Sequence, residues 1–149
     1  MEKNYHIFYQ MLAGLTQDER KQLGLEDFAL RDLHFLNQGD TRQDEAQDAE
    51  RFAAWRSNLA VLGIPFMDVV RVLAAILLLG NVEFHEGNGL EVEVIGREEL
   101  NSVASLLGVT TASLCQGLTQ RTYNVRGQLV KSMSDANMVR KYIKFKVEK

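Results

Sequence analysis

The side chains of this sequence that could carry chemistry are three histidines, one cysteine, several close carboxylates and one short basic segment, and their spacing decides among them. A phosphate-cradling loop needs glycines that let backbone amides reach the oxygens, then a lysine to neutralise charge and a hydroxyl for magnesium. The chain contains no Gly-Lys pair. His6, His34 and His85 do not fall at metal-ligand spacing and read as structural or exposed. Cys115 sits with Leu114 and Leu118 on an apolar stretch, far in sequence from any histidine, and reads as a buried structural thiol. Glu91 and Glu93 point to one face of a strand, where solvated alternation explains them without acid and base roles. No catalytic, cofactor-binding or metal-ligating residue is assigned.

Two charged segments remain. Asp40, Asp44, Glu45, Asp48 and Glu50 gather around the start of a helix, where negative charge complements the dipole. A calcium loop would need a fixed alternation around a central glycine, which is missing, so the run reads as a solvated helix face. The segment from Arg121 to Lys131 is locally basic and β-prone, a strand, a turn with Gly127 at its tip and a second strand. Loops on a rigid scaffold commonly carry binding. The plainer reading is a basic hairpin with no partner.

The elements that must position these groups are mostly helical. Ile7, Phe8, Met11 and Leu12 make one apolar face over Tyr5 to Ala13, with Gly14 expected as a left-handed cap. Thr16 and Glu19 have the spacing of a capping box, opening a short helix that ends near Gly24. Phe52, Trp55, Leu59 and Leu62 recur at helical spacing, and Pro65 suits the first turn of the next helix. Phe66 to Leu79 is apolar nearly all round, as a central core helix would be, and Gly80-Asn81 ends it. Val82 and Phe84, the Gly87-Asn88-Gly89 turn and the alternation from Leu90 to Val94 predict a small antiparallel hairpin. Helices over Glu98 to Leu107, closed by Gly108, and Thr111 to Leu118, capped by Thr110, complete the series.

At 149 residues, 46% hydrophobic and 25% charged, the chain has the make-up of one globular domain. A net charge of -3 gives no general electrostatic case for nucleic acid. A single cysteine excludes an internal disulfide and fits a reducing compartment, the cytoplasm. No basic, apolar, small-residue opening predicts a secretory signal. The apolar run Val69 to Leu79 carries Arg71 and falls short of the roughly 20 residues a membrane span needs.

The run Glu2-Lys3-Asn4-Tyr5-His6-Ile7-Phe8-Tyr9-Gln10-Met11-Leu12-Ala13-Gly14 resembles the myosin motor head, whose version is Glu-Arg-Asn-(Phe/Tyr)-His-Ile-Phe-Tyr-Gln-Leu-Leu-Ala-Gly. Further blocks follow in the family's order. They are Leu36-Asn37-Gln38-Gly39, then Phe52, Trp55 and Leu62-Gly63-Ile64, then Leu73 to Phe84, and finally Leu106 to Val109 with Leu118-Thr119-Gln120-Arg121. Leu78 stands where the family usually has histidine. The resemblance implies a mainly α fold with a small β-hairpin: a fragment of the upper actin-binding half of a P-loop NTPase-type myosin motor domain, lacking the nucleotide-binding core.

Residues 1–138 are then expected to be a partial motor domain, from an unconventional class, and residues 139–149 a divergent basic tail. Met1 is not expected to be the start of the parent. The segment from Arg121 resembles the family's actin-touching surface loop, often called the cardiomyopathy loop. Actin is acidic, so Arg121, Arg126 and Lys131 are the expected actin contacts, with salt sensitivity as their signature. Gln128 falls where many members carry an acidic or phosphorylatable residue, with Ser132 and Ser134 close by. The intact parent would be an actin-activated ATPase using ATP and magnesium. This chain, without the family's serine-rich and Asp-x-x-Gly-Phe-Glu loops, is expected to bind no nucleotide. Its expected partners are the actin filament and the remainder of the head. The alternative is a freestanding, non-catalytic helical module that binds actin or another protein. In either case an apolar face left without its partner sheet is expected.

Overall fold

The computed structural model describes residues 5–39, 41–88 and 92–139, which fall into two compact units, one ending at Asn81 and the other beginning at Val82. The molecule is mainly helical, with two small antiparallel hairpins.

The first unit holds α1 (His6–Gly14), α2 (Gln17–Gln22), a 3-10 turn (Leu30–Asp32), α3 (His34–Asn37), α4 (Glu45–Val61) and α5 (Phe66–Leu79). The apolar spacing of α1 buries Phe8, Tyr9, Met11 and Leu12, and that face packs chiefly on α4. Gly14 corrects the expectation of a left-handed cap. It is the last residue of α1, before an extended Leu15, and a Cβ there would overlap the Phe52 ring of α4. Its role is close approach, not chain reversal.

At the start of α2 the capping box forms as its spacing predicts, the Glu19 amide donating to Thr16 Oγ1 at 3.2 Å and the Thr16 amide to Glu19 Oε2 at 3.0 Å. The helix stops at a left-handed Gly24, with the Leu25 amide donating back to the Arg20 carbonyl at 2.8 Å. Leu23, Leu25, Leu33 and Leu36 are fully buried between these short elements.

Asp44 caps α4 through the Gln47 amide at 3.1 Å. Along α4 burial fades with distance, from Phe52 at 1% exposed, through half-buried Trp55 and Leu59, to Leu62 at 71%. Asp48 departs from the solvated-face expectation for the acidic run. It is buried, and its Oδ2 has no hydrogen-bond partner. Asp48 lies one turn before Phe52, so the helical period places it on the packed face with that ring.

Pro65 is the N-cap of α5, one residue before the first turn. α5 buries Val70, Ala74, Leu77 and Leu78 but leaves Asp68, Arg71 and Val72 in solvent, so it has a wet stripe where an all-round buried helix was expected. Leu78, at the position of the family's usual histidine, is fully buried. Asn81 fastens the end of α5 to the turn before α3: its Oδ1 accepts the His34 amide at 2.8 Å and its Nδ2 donates to the Asp32 carbonyl at 2.7 Å.

In the second unit β1 (Glu83–Glu86) pairs antiparallel with β2 (Val92–Ile95), Phe84 opposite Val94. Phe84 is buried and Glu93 exposed. The expected turn at Gly89, with Leu90 and Glu91, lies outside the described residues, as does Asp40 of the acidic run. Next come α6 (Arg97–Leu107), burying Leu100, Val103 and Ala104, and α7 (Thr111–Thr119), capped by Thr110 through the Ser113 amide at 3.1 Å. β3 (Gln120–Val125) and β4 (Gln128–Met133) form the second hairpin, and 136–139 make a helical turn. The tail expected over 139–149 lies outside the described residues apart from Val139, which is buried. No helix among the described residues is long and apolar enough to cross a membrane.

Candidate functional site

The basic segment folds as its β propensity predicts. β3 and β4 pair without a break from Gln120 opposite Met133 to Val125 opposite Gln128. Only Arg126 and Gly127 join them, with φ of 51° and 84°. A two-residue loop with positive φ at both positions is the type I′ turn, whose twist matches that of the strands. Asparagine or glycine usually fills the first position, because a side chain there crowds the following carbonyl. Here it is Arg126. Asn124 supports the turn, its Oδ1 accepting the Gly127 amide at 2.9 Å.

Strand alternation then sorts the expected contact residues. Arg121 lies opposite Ser132, and Lys131 opposite Thr122, so the two cations occupy opposite faces of the ribbon. Arg126 stands at the tip. The three do not gather into one patch. Gln128, paired with Val125, shares the face of Arg121, not that of Lys131. No ion pair engages Arg121, Arg126 or Lys131 among the described residues. Of the neighbouring serines, Ser132 is exposed, whereas Ser134 is buried and its amide donates to the Thr119 carbonyl at 2.7 Å. A modifying enzyme could reach the first and not the second.

The charges are only half of the hairpin surface. Tyr123, Val125 and Val130 sit on one face and Leu129 and Met133 on the other, all exposed, Leu129 at 76%. Sequence reasoning centred on the cations passed over these apolar groups, although the period-two spacing of Tyr123 and Val125 was there to find them.

Elsewhere the reactive side chains stay scattered. Among the described residues no three of His, Cys, Asp and Glu come together to hold a metal ion. His6 and His34 are exposed, and His85 pairs with Glu83 at 2.9 Å. Cys115 is half-buried, not buried as its apolar neighbours suggested, because α7 fully covers only Thr119. Among the described residues, Glu19 is the carboxylate whose titration is clearly displaced. Its burial would raise the pKa, but the Thr16 amide, the Arg56 guanidinium at 2.7 Å and the Thr16 hydroxyl together outweigh that and hold it below its usual value. Arg56 also lies 4.0 Å over the Phe66 ring, which joins Phe52 and Trp55 in an aromatic cluster.

The order of blocks, the helices and the basic hairpin agree with one family. Residues 1–144 match the model of the myosin head (motor domain). The chain belongs to the myosin head family. It is 33% identical over 140 residues to myosin-2 of Lachancea kluyveri and 36% over 132 residues to the myosin IC heavy chain of Dictyostelium discoideum, covering 91% and 84% of this chain. It is also 35% identical over 144 residues, again 91% of this chain, to chitin synthase 8 of Mycosarcoma maydis. The chain spans 7%, 9% and 11% of the chitin synthase, myosin-2 and myosin IC chains respectively. It is a segment of a myosin head, and the hairpin and helices above are parts of that head.

Proposed function

We propose that the parent of this segment is an actin-based, ATP-driven motor of an unconventional myosin class, cytoplasmic and associated with the cytoskeleton, and that the β3–β4 hairpin faces actin. The observation that carries this reading is the hairpin itself: three cations that no ion pair engages among the described residues, interleaved with exposed apolar side chains, on a ribbon ended by a two-residue turn. Cations supply attraction to an acidic filament, and Tyr123, Val125 and Leu129 supply area to bury once the filament is met. With Arg121 and Lys131 on opposite faces, Arg126 is the one cation available to either approach.

The segment contributes scaffold and loop but no phosphoryl transfer. It lacks the Gly-Lys pair a phosphate loop requires, so ATP and magnesium belong to the remainder of the head. Gln128 carries neither charge nor a phosphate-accepting hydroxyl, which leaves the loop without a switch at that position.

Co-sedimentation of the 149-residue chain with filamentous actin tests the reading. Binding should be measurable at low salt and fall as added salt contracts the screening length to about 10 Å near 0.1 M. Arg126→Glu should abolish it. Pelleting that ignores both salt and Arg126→Glu would sink the proposal.

A second reading has one observation in its favour. The match to a protein named as a chitin synthase shows that segments of this kind are not confined to proteins named as myosins. A non-catalytic, protein-binding role in the parent is therefore the alternative, and a parent that binds actin without nucleotide-dependent release would support it.

A further inference from the structure

Counted from its turn, the β3–β4 ribbon changes character pair by pair. The first three pairs above Arg126 and Gly127 are Val125 with Gln128, Asn124 with Leu129, and Tyr123 with Val130. They carry four exposed apolar side chains and no charge. Lys131 and Arg121 come only on the fourth and fifth pairs. Since a strand rises about 3.4 Å per residue, the ribbon ends in an apolar stretch about 10 Å tall with cations behind it. No Asp or Glu lies between Gln120 and Met133. The apolar groups also take both faces, Tyr123, Val125 and Val130 on one and Leu129 on the other. A protein surface laid against a ribbon covers one face and leaves the apolar groups of the second in water. A lipid interface closes round both.

We propose that this hairpin also inserts, turn first, into an anionic lipid surface. Interfacial elements bury their apolar groups about 5–10 Å into the boundary between headgroups and acyl chains, a depth that the apolar end of the ribbon matches. Lys131 and Arg121 then stand among the headgroups, and because they occupy opposite faces each meets lipid phosphate on its own side. The ring of Tyr123, apolar with a polar tip, suits the same boundary. Arg126 starts deepest, and its long stem lets the guanidinium run back to the phosphates. The outer strand edges, unpaired among the described residues, stay in reach of water and headgroups at this depth, as they would not in the hydrocarbon core. The whole chain carries a net charge of -3, so only an approach led by the basic hairpin is attractive. The lipid contact is independent of any filament contact.

Pelleting of the 149-residue chain with vesicles of equimolar phosphatidylserine and phosphatidylcholine, and with vesicles of phosphatidylcholine alone, tests this. Binding is expected to the mixed vesicles and not to the neutral ones. Val125→Thr and Leu129→Thr, at exposed positions on opposite faces, remove apolar area while keeping a β-branched residue in the strand. Each should weaken binding about fivefold with the melting temperature unchanged. Lys131→Gln should weaken it about fivefold as well. Failure to bind the mixed vesicles, or equal binding to the neutral ones, would overturn the proposal. So would a loss confined to Lys131→Gln, which marks adsorption by charge alone, or a loss in one threonine variant only, which marks a one-faced contact. No filament enters the assay, so the actin reading stands or falls separately.

Discussion

Where α1 meets α4, the backbone at Gly14 lies so close to the Phe52 ring that no side chain fits between them, whereas along the second hairpin every residue from Thr122 to Met133 is exposed. The helical contact is specified by volume, and a change of one methyl group must be felt there. The hairpin is specified by its ladder and its turn, so its side chains are free to differ without disturbing any core. A lone two-stranded ribbon is at best marginally stable, and no third strand joins it among the described residues. One region therefore holds the fold, and the other is available for recognition.

The contrast breaks most sharply at Phe52. Phe52→Ala should cost about 3–5 kcal/mol, because it empties the centre of the aromatic cluster and the seat of Gly14 together. Thermal or urea unfolding of the chain measures the loss, and hydrogen exchange refines it. Helix amides of the first unit should lose protection while the β3–β4 amides keep theirs. Equal losses in both would show the regions to be one cooperative structure. Gly14→Ala comes next, and two effects oppose each other. Alanine gains about 1 kcal/mol in helix propensity, but overpacking against a buried ring costs roughly 1–3 kcal/mol. The Phe52 ring is wedged and the contact is with its body, so a net destabilisation of about 1–2 kcal/mol is expected.

These two residues also show what was legible in the sequence. Glycine after an apolar helical run ordinarily marks a cap, and local pattern alone cannot distinguish a chain that turns from a chain that is approached. The Thr16 and Glu19 box was legible because both partners lie three residues apart on one turn. Asp48 was not, since its burial depends on α1, distant in sequence, covering that face of α4. The hairpin was readable as strand, turn and strand, and as locally basic, but the sides that its cations take follow only from the pairing register. Register puts Arg121 and Lys131 on opposite faces.

A smaller effect is expected at the α2 cap. Thr16→Ala should cost about 1 kcal/mol. Because the Glu19 carboxyl lies below its usual value near 4.5 in the folded chain, its contribution is complete above that pH and is lost as pH falls through the lower folded value. Acid titration of stability should therefore show a decline beginning below about pH 4.5, and Glu19→Gln should flatten it by a few tenths to about 1 kcal/mol. A decline unchanged in Glu19→Gln would assign it to other carboxylates.

The smallest effect on stability is expected at Arg126, where stability and binding should move in opposite directions. Its φ of 51° suits glycine or asparagine, so Arg126→Gly relieves local strain while adding freedom to the unfolded chain. The two nearly cancel, leaving a gain of about 0.5 kcal/mol or less, best read as slower exchange of the Val125 and Gln128 amides. Salt-dependent binding to actin should nonetheless drop, since the tip loses its cation. A turn that tightens while binding weakens would separate recognition from folding at one residue. If binding instead survives intact in a tighter turn, the exposed apolar groups at Tyr123, Val125 and Leu129 carry the contact, and the charge at the tip does not.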